Sequence, residues 1–280
     1  MVVMMHIALP DGFQPESVTV AGSLAYFGSL ADGSILAVDL RDGSKQLVSP
    51  ACGVPAGGLR LDGRGRLFVT GGFSGTARVV DAAGGEIIAS YRLSGQPSLV
   101  ADVLLTPTAA WFTDAFNPVL YRLALGPEGE LPGEGGIERL ALGGDLVYGQ
   151  GFNVLGIERT PDGTGILVAH CDAGQLFKVD TESGHAGAVP IDGGTIAGAD
   201  GLFVSGSTLY AALGGKNAVA VVELDGMASC GRLIRKITNA GFDVPTAAVV
   251  HGDRLYVVNS RLGTTEATPQ TEYTVTCLPL

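Results

Sequence analysis

The sequence predicts an all-β fold, a six-bladed β-propeller of four-stranded antiparallel blades, forming one domain over residues 1–280. Three observations carry this. A unit of three short apolar strands, separated by turns rich in Gly and Asp, recurs six times. Within the strands β-branched and aromatic residues alternate with a period of two, and no window carries a helical stripe. Glycine supplies 43 of 280 residues, and with only 14 prolines and no low-complexity tract this excess reads as many tight turns.

The copies follow in order. The first is Ser17–Val20, Leu24–Gly28 and Ser34–Asp39, and the second Gly58–Asp62, Arg66–Thr70 and Ala77–Asp81. The third is Val103–Thr106, Ala110–Asp114 and Val119–Arg122, and the fourth Gly156–Arg159, Gly165–Ala169 and Gln175–Asp180. The fifth is Gly201–Val204, Thr208–Ala212 and Ala218–Glu223, and the sixth Thr246–Val250, Arg254–Val258 and Tyr273–Cys277. Units of about 40 to 50 residues match four-stranded blades. The sixth copy reaches the C-terminus one strand short, so Val2–Leu9 is expected to supply the fourth and close the ring. A pair of β-sandwiches is the runner-up, but it leaves the repeated turn chemistry unexplained. Gly126–Gly151 is the one long irregular insertion, with an outer strand expected near Ile137–Leu142.

Composition excludes several function classes. A net charge of −11, with 17 Lys and Arg spread along the chain, argues against a nucleic-acid partner. No apolar run reaches the length of a membrane span, and the N-terminus lacks a basic signal-peptide region, so a cytoplasmic address is expected. Cys52, Cys171, Cys230 and Cys277 are too scattered for a disulfide framework or a metal knuckle and are expected as buried or partly buried thiols. No Gly-x-Ser-x-Gly elbow, phosphate loop or dinucleotide fingerprint occurs. A closed ring leaves few free edges, so a monomer without an obligate protein partner is expected.

Blade geometry points to a site. The first strand of each blade lines the channel, and its start lies at the same end of the ring as the loop joining the second and third strands. Glu16, Gly57, Asp102, Asn153 to Leu155, Asp200 and Pro245 precede the inner strands. The matching loops carry Leu30, Phe73, Phe116, Asn117, His170, Asp172, Lys216, Asn259 and Arg261. Glu16, Asp102 and Asp200 are thereby expected in one slot of three blades, as catalytic carboxyls. Phe73, Phe116, Asn153, Leu155, His170, Asn259 and Arg261 are the expected substrate contacts. Converging carboxylates need a cation or a proton to be buried cheaply, and a hard ion such as Ca²⁺ takes oxygen ligands of this kind. The alternative is that each braces a turn, as Asp39, Asp81 and Asp180 are expected to do at hairpins and Asp114 as a hydrogen-bond acceptor.

Longer motifs add a resemblance. Pro15–Ser17, Trp111–Asp114, Pro118–Arg122, Thr160–Gly163, Gln175–Asp180, Asp200–Leu202 and Phe242–Pro245 together resemble the SMP-30/gluconolactonase superfamily of six-bladed propellers. The nearest likeness is to the branch labelled superoxide-dismutase-like, which lacks that enzyme's metal site. The resemblance implies a divalent cation on the axis held by a Glu, an Asn and an Asp, with a second Asn for substrate. Glu16 and Asp200 match the two acids, whereas Ala101 and Leu155 stand where the resemblance implies Asn. If an ion were bound, Glu16, Asn153 and Asp200 would hold it.

Losing two oxygen donors weakens such a site, so no cofactor is expected, with Ca²⁺ or another divalent cation as the alternative. The favoured expectation is a metal-independent cyclase or isomerase of natural-product metabolism, acting on a largely apolar small molecule. Glu16 or Asp200 would be the acid/base at a raised pKa. Related propellers similar to strictosidine synthase imply that such chemistry suits the architecture. A Ca²⁺-dependent lactonase or hydrolase is the second expectation, and a non-catalytic binding propeller the third.

Overall fold

The computed structural model describes residues 5–263 and 266–280. Six antiparallel sheets follow one another around a ring, each running outward from an inner strand. Blade one comprises Pro15–Ala21, Leu24–Ser29, Ile35–Asp39 and Lys45–Ser49. Blade two comprises Leu59–Leu61, Arg66–Thr70, Thr76–Asp81 and Ile87–Arg92. Blade three comprises Val100–Thr106, Ala109–Asp114, Val119–Ala124 and Ile137–Ala141, the last being the strand expected within the insertion. Blade four comprises Val154–Arg159, Ile166–His170, Gln175–Val179 and His185–Val189. Blade five comprises Ala199–Ser205, Thr208–Leu213, Ala218–Leu224 and Gly231–Thr238. Short segments Gly143–Gly144 and Ile191–Asp192 add parallel fifth strands at the rims of blades four and five.

Blade six is the closure. Pro245–His251, Arg254–Asn259 and Tyr273–Pro279 supply three strands, and Met5–Leu9 pairs antiparallel with the last of them, Leu9 opposite Tyr273. The expected closing segment thus forms over residues 5–9, while residues 2–4 lie outside the described residues. Each inner strand packs against those of its two neighbours, blade one against blade six included. Among the described residues no helix is long and apolar enough to cross a membrane.

The alternating strands bury both faces, so the core lies between blades. Val18, Phe27 and Val38 of blade one meet Val258 and Val275 of blade six, with Leu9 from the closing strand. Trp111 and Leu120 of blade three meet Ile157, Val168 and Phe177 of blade four, and similar clusters fill the other junctions. Glycine makes such contacts possible at Gly85 and Gly184, in the turns before the outermost strands of blades two and four. Both adopt positive φ (76° and 75°), and a Cβ there would collide with the carbonyl of Val48 or Ala141 in the preceding blade.

The thiols depart from expectation. Cys277 is buried and Cys171 partly so, but Cys52 and Cys230 are exposed, because both sit in connections outside the strands. Asp39, Asp81 and Asp180 accept backbone N–H bonds within their own hairpin turns. Asp114 takes bonds from the Phe116 and Asn117 amides and the Tyr121 hydroxyl (2.9 Å), as a structural acceptor does.

Candidate active site on the propeller axis

A β-bulge recurs near the start of five inner strands. The register slips between Pro15 and Val18, Val100 and Val103, Val154 and Ile157, Ala199 and Leu202, and Pro245 and Ala247. A bulge inserts an extra residue and re-aims its side chain. Counting back from the restored register makes Glu16, Ala101, Leu155 and Asp200 equivalent. Asp102 falls in the next slot, with Ser17, Gly156 and Gly201. The expectation that Asp102 shares the slot of Glu16 and Asp200 is therefore corrected by one residue. The glycines of that second slot let neighbouring inner strands touch: a Cβ on Gly201 would lie 2.6 Å from the Thr246 carbonyl oxygen, and one on Gly58 would lie 2.6 Å from Asp102 Cα.

The channel nonetheless gathers the three acids electrostatically. Burial raises the Glu16 carboxyl well above its ordinary range, and Asp200 and Asp102 raise it further against the opposing pull of Arg60. Its Oε2 is buried without a hydrogen-bond partner. Burial and then the nearby Asp102 push Asp200 up to about 7. Asp102 is raised by burial, with Arg60 and the amides of Val103 and Ile157 opposing. Its Oδ1 accepts from Val103 N (2.8 Å) and its Oδ2 from Ile157 N (3.4 Å).

Two further members escaped sequence reasoning. Arg60, on the inner strand of blade two, points across the channel, where Nη1 donates to the Leu59 carbonyl (3.1 Å) and Nη2 to that of Leu202 (3.5 Å). Its Nη2 lies 3.7 Å from Asp102 Oδ2 and 3.9 Å from Glu158 Oε2. Burial raises the Glu158 carboxyl, and Arg60 opposes the shift. The available signal was a charge inside strands buried on both faces, Leu59-Arg60-Leu61 and Ile157-Glu158-Arg159.

A cavity of about 560 Å³ opens on the face where the inner strands end. Arg60, Asp102 and Glu158 contribute to its wall, with Val20, Phe203 and His251 among the surrounding residues. Glu16 and Asp200 do not line it. They begin the inner strands at the opposite face, the one that sequence reasoning favoured.

At that opposite face the expected contacts separate into two groups. Phe73 and Phe116 are exposed, their ring centroids 6.0 Å apart, and Phe152, which the sequence reading did not single out, extends the ladder 6.1 Å beyond Phe116. Leu155 is buried in the slot of Glu16 and Asp200, its carbonyl accepting from the Thr113 hydroxyl at 2.7 Å. The remaining side chains make hydrogen bonds or ion pairs within the fold. Asn153 donates to the Ala115 and Gly151 carbonyls and accepts from Gly149 N, because it caps the loop that enters blade four. His170 is buried, its Nδ1 accepting from Ala173 N (3.2 Å). Asn259 donates to Gly241 O (2.9 Å) and Thr276 Oγ1 (3.0 Å), and Arg261 pairs with Asp243 (2.9 Å). Cys171 sits near the axis, its thiol pushed up to about 12 by burial and then by Asp200 and Asp172.

An implied cation would need oxygen donors beyond Glu16 and Asp200. Among the described residues no group of three or more His, Cys, Asp or Glu side chains is arranged to share one ion. The slots equivalent to Glu16 and Asp200 in blades three and four hold Ala101 and Leu155, and the Asn153 amide is already occupied.

No family model matches the chain. No curated protein matches it either. Solved structures do. The major allergen Mala s 1 of Malassezia sympodialis is similar with a TM-score of 0.74 at 15% identity, covering 98% of this chain and 96% of its own. Regucalcin, a calcium-binding protein from Agrobacterium tumefaciens, is similar with a TM-score of 0.70 at 19% identity, over 97% and 91% of the two chains. Virginiamycin B lyase from Staphylococcus aureus, solved as an inactive variant with quinupristin, gives 0.61 at 14% identity over 99% of each chain. At these identities the likeness is one of fold, and it supports the six-bladed propeller.

Proposed function

We propose that the protein is a small-molecule enzyme in which Glu16 and Asp200 exchange protons with an organic substrate at the face where the inner strands begin. The observation that carries this reading is Asp200, pushed up to about 7 beside the unpartnered Oε2 of Glu16. A carboxyl that titrates near neutrality is matched to general acid–base work, since both its forms are populated at working pH. Two such groups can donate a proton to one substrate atom and accept one from another, so an isomerisation or ring closure proceeds with no net proton change. Leu155 and the Phe73–Phe116–Phe152 ladder favour a substrate with an apolar body. A protein of this kind acts as a cytoplasmic monomer in our reading, in natural-product metabolism.

The test is a turnover screen of the purified protein against apolar cyclisation and isomerisation substrates, with and without EDTA. Glu16→Gln and Asp200→Asn are expected to lower turnover by roughly 10²–10⁴ while leaving the melting profile cooperative. Loss below about tenfold in both variants would assign the chemistry elsewhere. The second reading, a Ca²⁺-dependent lactonase, is favoured by the crowding of Glu16, Asp102 and Asp200 and by the likeness to a calcium-binding propeller. A stoichiometric, tightly held ion in the purified protein, with turnover abolished by EDTA, would put that reading first.

A further inference from the structure

The cavity on the far face holds charges that the proposed proton exchange does not use. Arg60 stands between Asp102 and Glu158 at 3.7 and 3.9 Å, beyond hydrogen-bond reach of either carboxylate. Glu158 Oε1 is taken by Arg159 N, but Oε2 meets Arg60 only across that gap. Arg60 and Asp102 are otherwise held by backbone groups, so the side of the cluster left for a ligand is the one where the guanidinium and Glu158 Oε2 face the cavity. Around it the wall is mixed, with Val20, Leu104 and Phe203 supplying apolar surface and Asp62, Arg159 and His251 also on the lining, and the volume of about 560 Å³ is that of a small-ligand site.

The polarity of the cluster selects the ligand. A simple anion meeting Arg60 would face two carboxylates, and a simple cation meeting the carboxylates would face the guanidinium. A molecule bearing both charges satisfies both, its carboxylate meeting Arg60 and its ammonium meeting Glu158 Oε2. From these observations we infer that the far-face cavity binds a small zwitterion with an apolar body, the chemistry of a free apolar α-amino acid. The site is separate from Glu16 and Asp200, which do not line the cavity.

Titration calorimetry with L-leucine tests this, with isocaproate, isoamylamine and glycine as probes lacking the ammonium, the carboxylate and the apolar body. Leucine is expected to bind once per chain, isocaproate and isoamylamine at least about tenfold more weakly through the loss of one charge-assisted contact, and glycine at least about tenfold more weakly through the loss of apolar burial. Thr19→Trp, which narrows the cavity without touching a charge, and Glu158→Gln should each weaken leucine at least about tenfold. Phe116→Ala, at the opposite face and bearing no charge, should leave leucine binding within about twofold, so the two sites fail separately. No leucine binding to the folded protein, equal binding of isocaproate, or binding untouched by Thr19→Trp would overturn the assignment.

Discussion

Arg60 of blade two donates from Nη2 to the carbonyl oxygen of Leu202 in blade five at 3.5 Å, joining inner strands on opposite sides of the ring. The same guanidinium faces Asp102 and Glu158, so one side chain both crosses the axis and offsets the acids around it.

Removing that cation alone should therefore be expensive. Arg60→Leu leaves two buried carboxylates without their counter-charge, and a destabilisation of roughly 3–5 kcal/mol is expected. Adding Asp102→Asn and Glu158→Gln should recover much of it, because the strain is the uncompensated charge and not the lost volume. Urea unfolding of the single and triple variants gives the comparison, and equal stabilities for the two would contradict this account.

Gly156 tests the inner-strand contact. A Cβ there would collide with the carbonyl oxygen of Asp200, which is backbone and has little room to retreat. Gly156→Ala is expected to destabilise by about 1–3 kcal/mol, in the range for overpacking. Gly135→Ala is the control, since that glycine is exposed with nothing near its Cβ position, and a change within about 0.5 kcal/mol is expected there.

The raised carboxyls set the sign of a pH effect. Asp200 moves from an ordinary 3.8 to about 7, and Glu16 is raised too, so the folded chain holds protons that the unfolded chain has released. Their contribution to stability is full below about pH 4 and is lost as pH rises through about 7. Thermal melts should fall across that window, and Asp200→Asn should flatten the slope and raise the melting temperature at pH 8. A wild-type slope unchanged in this variant would place the titration on other groups.

Closure of the ring rests on a short strand. Leu9 is buried at the junction of blades six and one, and Leu9→Ala is expected to cost about 2–5 kcal/mol. Deleting residues 1–9 should expose the Tyr273–Pro279 edge and produce aggregation, visible by light scattering. A truncated chain that stays monodisperse and melts like the full-length protein would remove closure from the list of stabilising features.

The blade count, the strand order and the closing segment were legible in the sequence because each depends on short-range signals. Period-two alternation marks a strand, Gly and Asp mark its turns, and six copies with one strand missing leave the N-terminal segment to complete the last. Acidic residues near the axis were legible too, as Glu16 and Asp200 show. Tertiary structure decided the rest. Asp102 falls one slot past Glu16 and Asp200 once the inner strands are aligned on their ladders, and Asn153 and Asn259 hydrogen-bond to Ala115 and Thr276, which only the folded chain brings beside them. Arg60 and Glu158 looked like ordinary strand residues until closure of the ring faced their charges toward one another. Alternation along a strand reports which residues are buried. Which charges share a burial site depends on how six separate strands converge, and that is settled only when the ring is formed.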